Sequence, residues 1–484
     1  MIVKRFYDEQ LAQASYLIGC GRTGHAVVID PNRDIEQYLR MAASEGVAIT
    51  HVTETHIHAD FVSGSRELAA RTGASLLLSG EGGPDWQYAF AHEAGAVIVH
   101  DGDVIKVGNV RLDVVHTPGH TPEHIAFVVT DTAAATEPIA IVTGDFVFVG
   151  DVGRPDLLER AARVQGTMEG SARALFRSLR RFKAYPDYLQ IWPGHGAGSA
   201  CGKGLSAVPQ STVGYERRFN WAFAVDDEDE FVRQVLVGQP EPPAYFAQMK
   251  RINRDGPRIL NGVSRPQWIP DGRFAEFLQR GALIIDTRSA ADFAVGHVPG
   301  TLNIPLDRSF TTWAGWLIPF DDDFYLIVDG AGELAPRLVD QAARELLMIG
   351  LDHFAGYFGS SAIAAWAAGG AALETVPQVG PGPLARQLEG GAVTVLDVRG
   401  HAEWEAGHLP GVQNVPLGYL VSRLEDIPRD RPLVVQCQGG ARSAIAASLL
   451  QAHGVHNVVN LTGGYQGWVA AGLPVAGAAG PPTT

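Results

Sequence analysis

Imidazole and carboxylate side chains in the first half of the sequence stand where predicted strands end. They are His56, His58 and Asp60 in one HxHxD motif, His120 in a Pro-Gly-His turn, Asp145 after a glycine, and His195 in a second Pro-Gly-His turn. Loops at strand ends often carry functional side chains, and imidazole with carboxylate suits divalent transition metals. A single histidine of this kind would be interpreted as structural, but the whole series indicates a metal centre.

A second reactive feature lies near the C-terminus. An apolar predicted strand over 432–436 ends at Cys437, and Gly439, Gly440 and Arg442 follow before the next predicted helix. Backbone N–H groups and the N-terminus of that helix would surround the sulfur and stabilise a thiolate or a bound anion. The glycines let the loop curl tightly, and Arg442 adds a fixed positive charge for a sulfur oxyanion. This pattern predicts a nucleophilic cysteine in an anion-binding loop.

Charge and cysteine content limit the possible partners and the compartment. The 484 residues carry a net charge of −15, from 38 Lys and Arg against 53 Asp and Glu. A chain this acidic is a poor ligand for nucleic acid or for an anionic membrane surface. Three cysteines, Cys20, Cys201 and Cys437, are too few and too widely spaced for a disulfide scaffold. With no signal-peptide pattern at its start and no long apolar run, the protein is expected to be cytoplasmic and not bound to membranes.

The elements that must position the metal-binding side chains follow from the pattern of residues 1–240. Short runs rich in Val and Ile, such as 110–116 and 125–130, predict strands, and 34–45 and 170–183 predict amphipathic helices. A mixture of this kind is typical of a layered α/β domain.

The second half contains an internal repeat. The stretch LIIDTRSAADFAVGHVPGTLNIPL (283–306) matches TVLDVRGHAEWEAGHLPGVQNVPL (394–417) without a gap. Each copy has strand–helix–strand order, which predicts a parallel sheet with crossover helices. We therefore predict a first domain over 1–240, a Pro-rich connector over 241–262, two related domains over 263–370 and 376–476, and a disordered tail over 477–484.

The first domain resembles the metallo-β-lactamase fold, an αββα sandwich, and within it the persulfide dioxygenase branch, which is close to glyoxalase II. The motifs THIHADFVSG, HTPGHTP, TGDFVFVGDVGRPDL and IWPGHGAG carry the resemblance. It implies one Fe(II) per chain, held by His56, His120 and Asp145. The side chains of His58, Asp60 and His195 would then orient waters and ligating imidazoles. Phe61 stands where a binuclear hydrolase has a histidine, and this favours a mononuclear site.

The substrate implied by this branch is a low-molecular-weight thiol persulfide, which O₂ and water oxidise to sulfite and free thiol. Its carrier could be glutathione, coenzyme A or a similar thiol. Arg154 and Lys203 are candidate anchors for a carboxylate or phosphate on that carrier, and a solvated cation is the alternative for each. Cys201, beside Gly202 and Lys203, is either a thiol of lowered pKa that carries a persulfide or an inert buried cysteine.

The last copy of the repeat resembles rhodanese, through DVR, GHLPG, CxxGxRS and LTGGYQGW. The resemblance implies that Cys437 is the nucleophile and persulfide carrier, with Gly439, Gly440 and Arg442 binding the substrate. A related type of phosphatase has a loop one residue longer, so the loop fits a sulfur substrate better. The middle copy has Asp329 in place of the nucleophile and Leu334 in place of the arginine, and is expected to be a degenerate rhodanese.

Taken together, the three segments thus resemble a fusion of a persulfide dioxygenase with two rhodanese-like α/β domains. It implies sulfide detoxification, in which Cys437 transfers sulfur to sulfite to give thiosulfate, or the reverse, and also a homo-oligomer. Two alternatives remain. One is a glyoxalase II-like zinc thioester hydrolase fused to a sulfurtransferase, which would hold two zinc ions in place of one iron. The other is a non-enzymatic sulfur-responsive binding module, which the intact loop at Cys437 disfavours.

Overall fold

The computed structural model describes residues 1–157, 159, 166–239, 241–262, 265–330 and 334–477. Residues 478–484 of the predicted tail therefore lie outside the described residues. The chain divides into two compact units. One comprises 1–263 with 347–350, and the other comprises 264–346 with 351–484.

Two six-stranded sheets form the centre of the first unit. The strands of one sheet are, in spatial order, Ile2–Asp8, Gln13–Cys20, His25–Ile29, Ala48–Thr53, Ser75–Ser79 and Val97–Val99. Those of the other are Ser211–Thr212, Gln190–Pro193, Ala140–Gly144, Ile125–Asp131, Val110–His116 and Val104–Val107. The sheets pack face to face through a shared core that includes Ile18, Val27, Leu112, Phe127 and Val142. Because these strands are rich in β-branched residues, they fill the pleated interface well.

Helices cover the outer faces of both sheets. Among the described residues, the helices of this unit are Glu36–Glu45, Ser65–Thr72, Met168–Phe182, Val213–Phe219, Trp221–Ala224, Glu228–Leu236 and Phe246–Asp255, with a short 3₁₀ helix at Pro84–Trp86. Tyr38 and Leu68 pack with Val28 and Leu76 of the first sheet. Leu175 and Phe231 belong to the cluster that covers the second sheet. The αββα sandwich expected from the sequence is confirmed.

The stretch 241–262 differs from the connector that its prolines predicted. It contains the helix Phe246–Asp255, which buries Phe246, Met249 and Asn253. A helix packs against a protein core through the one face whose side chains are buried. This segment is therefore part of the first unit, and the predicted boundary at residue 240 falls inside it.

The second unit contains two five-stranded sheets. Their strands in spatial order are Gln267–Trp268, Phe354–Gly359, Phe324–Val328, Leu283–Asp286 and Leu302–Asn303 in one, and Gln378–Val379, Val458–Leu461, Leu433–Gln436, Thr394–Asp397 and Gln413–Asn414 in the other. All pairings in both sheets are parallel. The predicted parallel sheets are thus confirmed, and the two sheets share one strand order.

Helices connect the parallel strands of this unit. They are Phe274–Gln279, Ala290–Val295, Phe310–Leu317, Leu334–Met348, Ser361–Ala368, Pro381–Glu389, His401–Glu405, Ala441–Ala452 and Gly464–Ala470, with 3₁₀ turns at Asp271–Arg273, Leu417–Tyr419 and Val421–Asp426. Equivalent arginines in the two copies make the same contact. Arg288 pairs with Asp286 at 2.7 Å and Arg399 with Asp397 at 2.8 Å. None of the described helices has the length and apolar character needed to cross a membrane.

Candidate functional sites

The three predicted metal ligands lie together at the ends of the strands in the first unit. One ligand atom each of His56, His120 and Asp145 lies within 4.8 Å of the other two, and all three residues are buried. His120 Nε2 is 3.5 Å from Asp145 Oδ2. Two imidazoles and one carboxylate in this arrangement form a candidate metal centre of the type found with open coordination positions.

Hydrogen bonds fix the orientation of both imidazoles. His120 Nδ1 lies 3.0 Å from the carbonyl oxygen of Arg154, to which it donates. His56 Nδ1 lies 3.0 Å from Thr55 Oγ1, whose hydroxyl donates to Asp30 Oδ2 at 2.9 Å. The threonine oxygen therefore accepts the proton of His56 Nδ1. In both rings Nε2 keeps its lone pair for a metal, as is usual when the other nitrogen is held by an acceptor.

The carboxylate of Asp145 fits a bound cation. Neither of its oxygens has a hydrogen-bond partner among the described residues, although both are buried. Burial by itself would raise the pKa of Asp145, but the imidazoles of His195 and His120 lower the pKa below its ordinary value. Because unpaired buried carboxylates are costly, a metal ion is the group that these donors would accommodate.

The other three side chains of the predicted series surround this centre. His58 Nε2 is 3.1 Å from Asp30 Oδ1, and its ring lies 4.4 Å from that of Phe61. His195 Nε2 lies 3.3 Å from Asp60 Oδ2 and 3.4 Å from Asp145 Oδ1. The structure therefore brings together all six residues of the predicted series.

Two predicted substrate anchors are engaged elsewhere. Arg154 is fully buried, pairs with Asp156 at 2.8 Å and donates to Ala200 O at 2.9 Å. Its charge is neutralised inside the protein, so the anchoring role predicted for it does not hold. The ammonium of Lys203 donates to Gln234 O at 2.8 Å and Val237 O at 3.2 Å. It binds the C-terminal end of a helix, where a cation is stabilised.

Cys201 is buried beside the metal centre. Its sulfur and the ligand atoms of Asp60 and His195 lie within 4.8 Å of one another. Burial and the negative charges of Asp60 and Asp145 raise the pKa of Cys201 well above its ordinary value. Of the two alternatives for Cys201, these surroundings favour the buried neutral thiol over the thiol of lowered pKa.

Several residues that hold the metal-binding loops were not singled out in the sequence. Asp30 accepts the backbone N–H of Thr55 at 2.6 Å as well as its hydroxyl. Asn253 donates to the carbonyl oxygens of His58 and Phe61, at 2.8 and 2.7 Å. His124 Nε2 accepts the N–H of Asp145 at 3.1 Å. Only the position of Asp30 after an apolar strand offered a signal.

The second candidate site is the loop that begins at Cys437. Its buried sulfur accepts the N–H of Gly440 at 3.1 Å and the hydroxyl of Ser443 at 3.5 Å. Gly440 has φ 105°, which favours glycine. A Cβ at Gly464 would collide with the carbonyl oxygen of Cys437. The predicted loop therefore places donors around the sulfur.

The fixed positive charge expected from Arg442 is paired with a carboxylate in the structure. Its guanidinium binds both carboxylate oxygens of Glu403, at 2.6 and 2.7 Å. The pair raises the pKa of Arg442 and lowers that of Glu403. The carboxylate of Glu403 thus partly compensates the positive charge that Arg442 offers to an anion at Cys437. Glu403 carried no sequence signal.

The middle copy has no thiol at the equivalent strand end. Asp329 follows the strand Phe324–Val328, is exposed, and accepts the hydroxyl of Ser360 at 2.9 Å. Residues 331–333 of this loop, and the side chain predicted to replace the arginine, lie outside the described residues.

Known proteins resemble both units. Residues 9–195 match the metallo-beta-lactamase superfamily and residues 381–471 match the rhodanese-like domain. A hydroxyacylglutathione hydrolase of Rhodospirillum rubrum is 33% identical over 49% of this chain and 80% of its own length. The mitochondrial persulfide dioxygenase ETHE1 of Bos taurus is 27% identical over 50% of this chain and 84% of its own length.

A solved structure extends the similarity beyond the first unit. The crystal structure of a metallo-beta-lactamase from Staphylococcus aureus subsp. aureus COL is 45% identical, with a TM-score of 0.68, and covers 74% of this chain and 99% of that chain. The chain belongs to the metallo-beta-lactamase superfamily. It is a fusion in which this fold is followed by a rhodanese-like domain, and both are enzyme families.

Proposed function

We propose that the protein is a bifunctional enzyme of sulfide detoxification, in which an iron-dependent persulfide dioxygenase is coupled to a rhodanese. One observation carries the proposal. A buried triad of two imidazoles and one carboxylate occurs in the same chain as a cysteine loop of rhodanese type. Such a triad with open positions is characteristic of non-haem Fe(II) oxygenases.

In the first unit, His56, His120 and Asp145 would hold the iron, which supplies the positions where O₂ and the persulfide sulfur bind. The protein orients the two imidazoles through Thr55 and the carbonyl oxygen of Arg154. The balanced reaction is R–S–SH + O₂ + H₂O → R–SH + SO₃²⁻ + 2 H⁺. Phe61, fully buried against His58, occupies the position at which a binuclear hydrolase would have a ligating histidine.

In the second unit, Cys437 would carry a sulfane sulfur as Cys–S–S⁻ and transfer it to sulfite. The S–S bond breaks, thiosulfate leaves, and Cys437 returns to the thiolate. The N–H of Gly440 and the hydroxyl of Ser443 point at the sulfur and stabilise its negative charge. The reverse direction uses the same groups.

The middle copy is proposed to be a degenerate rhodanese that serves architecture, because an aspartate occupies the nucleophile position. The shared strand order of the two sheets supports this proposal. The thiol carrier is proposed to be a low-molecular-weight thiol. The boundaries of the two rhodanese-like domains, 263–370 and 376–476, are predictions.

A second candidate is a thioester hydrolase, which the similarity to a hydroxyacylglutathione hydrolase favours. Oxygen uptake discriminates between the two. Iron-loaded protein given glutathione persulfide is expected to consume O₂ and to release sulfite, whereas the zinc-loaded protein is not. If the iron-loaded protein takes up no oxygen but hydrolyses a glutathione thioester, the dioxygenase assignment is wrong.

A further inference from the structure

We infer that the first unit contains a binding site for a small aromatic carboxylate, in the cavity that Trp86 and Lys250 line. The carboxylate would pair with the ammonium of Lys250, and the ring would lie against apolar walls. The inference goes beyond the proposed function, because this ligand is neither a substrate nor a product of either proposed reaction.

The size and the lining of the cavity both suit a small organic molecule. Its volume is about 850 Å³, and sites for such molecules measure about 300–1,000 Å³, with mostly apolar walls and a few polar groups. Flat apolar side chains form much of the wall, namely those of Pro84, Trp86, Pro118 and Pro122. Because an aromatic ring packs offset-stacked or edge-on against a tryptophan, the lining favours a ligand with a flat ring.

Lys250 is a partly buried cation that lacks an acceptor. Its ammonium lies 3.5 Å from the centre of the Trp86 ring, and no hydrogen bond or ion pair joins it to a described residue. Burial lowers the pKa of Lys250 to about 8, and the charge of Glu123 opposes this shift. Burial also raises the pKa of Glu123 to about 7, so its carboxylate compensates the ammonium only in part. An anionic ligand would supply the partner that a desolvated charge requires.

The other charged residues of the lining select a ligand with one negative charge. Arg254 is paired with Asp255 at 2.8 Å, and Asp85 lines the same cavity. A phosphate monoester carries about −1.5 to −2 at neutral pH, and these carboxylates would repel it more strongly than a monoanion. A single carboxylate therefore matches the single ammonium of Lys250.

Hydrogen bonds hold the walls in place. Gln87 Nε2 donates to the carbonyl oxygens of the turn before Trp86, each at 3.2 Å, which are those of Gly80, Glu81 and Gly83. Ala89 N donates to Arg254 O at 2.8 Å and so ties this turn to the helix of Lys250. Ser178 donates to Pro118 O at 2.8 Å. The cavity is therefore largely formed before a ligand binds, which reduces the cost of binding.

The cavity lies beside the first metal centre without including it. Pro118, Gly119 and Pro122 belong to the loop that carries His120, and Lys250 belongs to the helix that carries Asn253. None of the three predicted metal ligands is among the described residues that line the cavity. The ligand would thus contact two segments that hold the metal centre, but no metal-binding side chain.

The experiment measures binding of 2-naphthoate to the full chain by isothermal titration calorimetry. We expect one equivalent per chain whose affinity Lys250→Met lowers by roughly 10- to 100-fold, because a charge-assisted hydrogen bond is lost. Lys250→Arg keeps the charge and should retain most of the affinity. Neutral 2-naphthamide should bind weakly, and equally to the original chain and to Lys250→Met. Lys106→Met, at an exposed lysine of the strand Val104–Val107, is the matched control and should leave 2-naphthoate binding unchanged.

Acetylation of lysines followed by peptide mass mapping provides a readout that needs no change at Lys250. 2-Naphthoate should slow the acetylation of Lys250 several-fold and leave that of Lys106 unchanged. Absence of 2-naphthoate binding, equal binding by Lys250→Met, equally tight binding of the neutral amide, or a Lys250 that the ligand does not protect would overturn the inference. These readouts involve neither oxygen uptake nor sulfur transfer, so failure of the inference and failure of the proposed function are distinguishable.

Discussion

Asn253 should link the helix Phe246–Asp255 to the affinity of the first metal centre. Its Nδ2 donates to His58 O at 2.8 Å and Phe61 O at 2.7 Å, and its Oδ1 accepts the N–H of Ser63 at 2.9 Å. The residue is 1% exposed, so water cannot replace these bonds without entering the core. Asn253 therefore holds the loop that directly follows His56.

The size of the effect follows from these bonds. Each buried hydrogen bond contributes on the order of 1 kcal/mol net, so Asn253→Ala should cost about 3 kcal/mol. Since about 1.4 kcal/mol is a factor of ten in an equilibrium constant, the full loss would weaken metal binding by roughly 100-fold. Loss of groups that orient metal ligands ordinarily weakens metal binding by about 10- to 100-fold. We expect Asn253→Ala to fall in that range.

The assay measures the dissociation constant of iron or cobalt at the first metal centre by competition with a chelator. Arg254→Ala, at an exposed residue on the same helix, is the matched control and should leave the constant unchanged. Sulfur transfer at Cys437, which lies in the other unit, checks that the chain is folded. An unaltered metal affinity in Asn253→Ala, or an equal loss in Arg254→Ala, would refute the reasoning.

Three further predictions concern buried charges and the cysteine loop. Arg154→Gln should destabilise the first unit by about 3–5 kcal/mol, because the buried carboxylate of Asp156 loses its ion pair with the guanidinium at 2.8 Å. A raised KM for the persulfide in a protein of normal stability would contradict this. Burial raises the pKa of Glu123 to about 7, so its stabilising contribution is present below the unfolded pKa and is lost as pH rises through the folded pKa. Glu123→Gln should therefore flatten the fall in melting temperature between about pH 4.5 and pH 7, and an unchanged slope would count against it. Glu403→Gln should lower the KM for thiosulfate several-fold, because it leaves the charge of Arg442 uncompensated; a higher KM would mean that Glu403 acts by positioning Arg442.

The metal-binding side chains could be predicted because their motifs are local and each ends a recognisable strand. His56, His120 and Asp145 are far apart in sequence, and only the packing of two sheets brings them within 4.8 Å. The sequence indicated the residue types and the strand ends. The tautomers of His56 and His120 depend on contacts with Thr55 and with the carbonyl oxygen of Arg154, which the motifs contain but do not place in space. The absence of hydrogen-bond partners for the Asp145 oxygens among the described residues is likewise a result of the fold.

Arg154 and the segment 241–262 show where pattern reasoning failed. Arg154 was a candidate substrate anchor, with a solvated cation as the alternative, but its partner Asp156 stands only two positions further on. The prolines around the helix Phe246–Asp255 indicated a connector, although Phe246, Met249 and Asn253 already have helical spacing. In both cases the sequence contained the residues that form the contact, but only the tertiary packing determined which role they have. The contact between Glu403 and Arg442 had no sequence signal.

The coupling of two chemistries in one chain is tested most directly by the products formed from one substrate. Iron-loaded protein should convert glutathione persulfide and O₂ mainly to thiosulfate, because Cys437 transfers a second sulfur to the sulfite produced at the first site. The Cys437→Ser protein should consume oxygen at the same rate and release sulfite. If neither protein consumes oxygen, or if both release the same ratio of thiosulfate to sulfite, the proposed coupled function is contradicted.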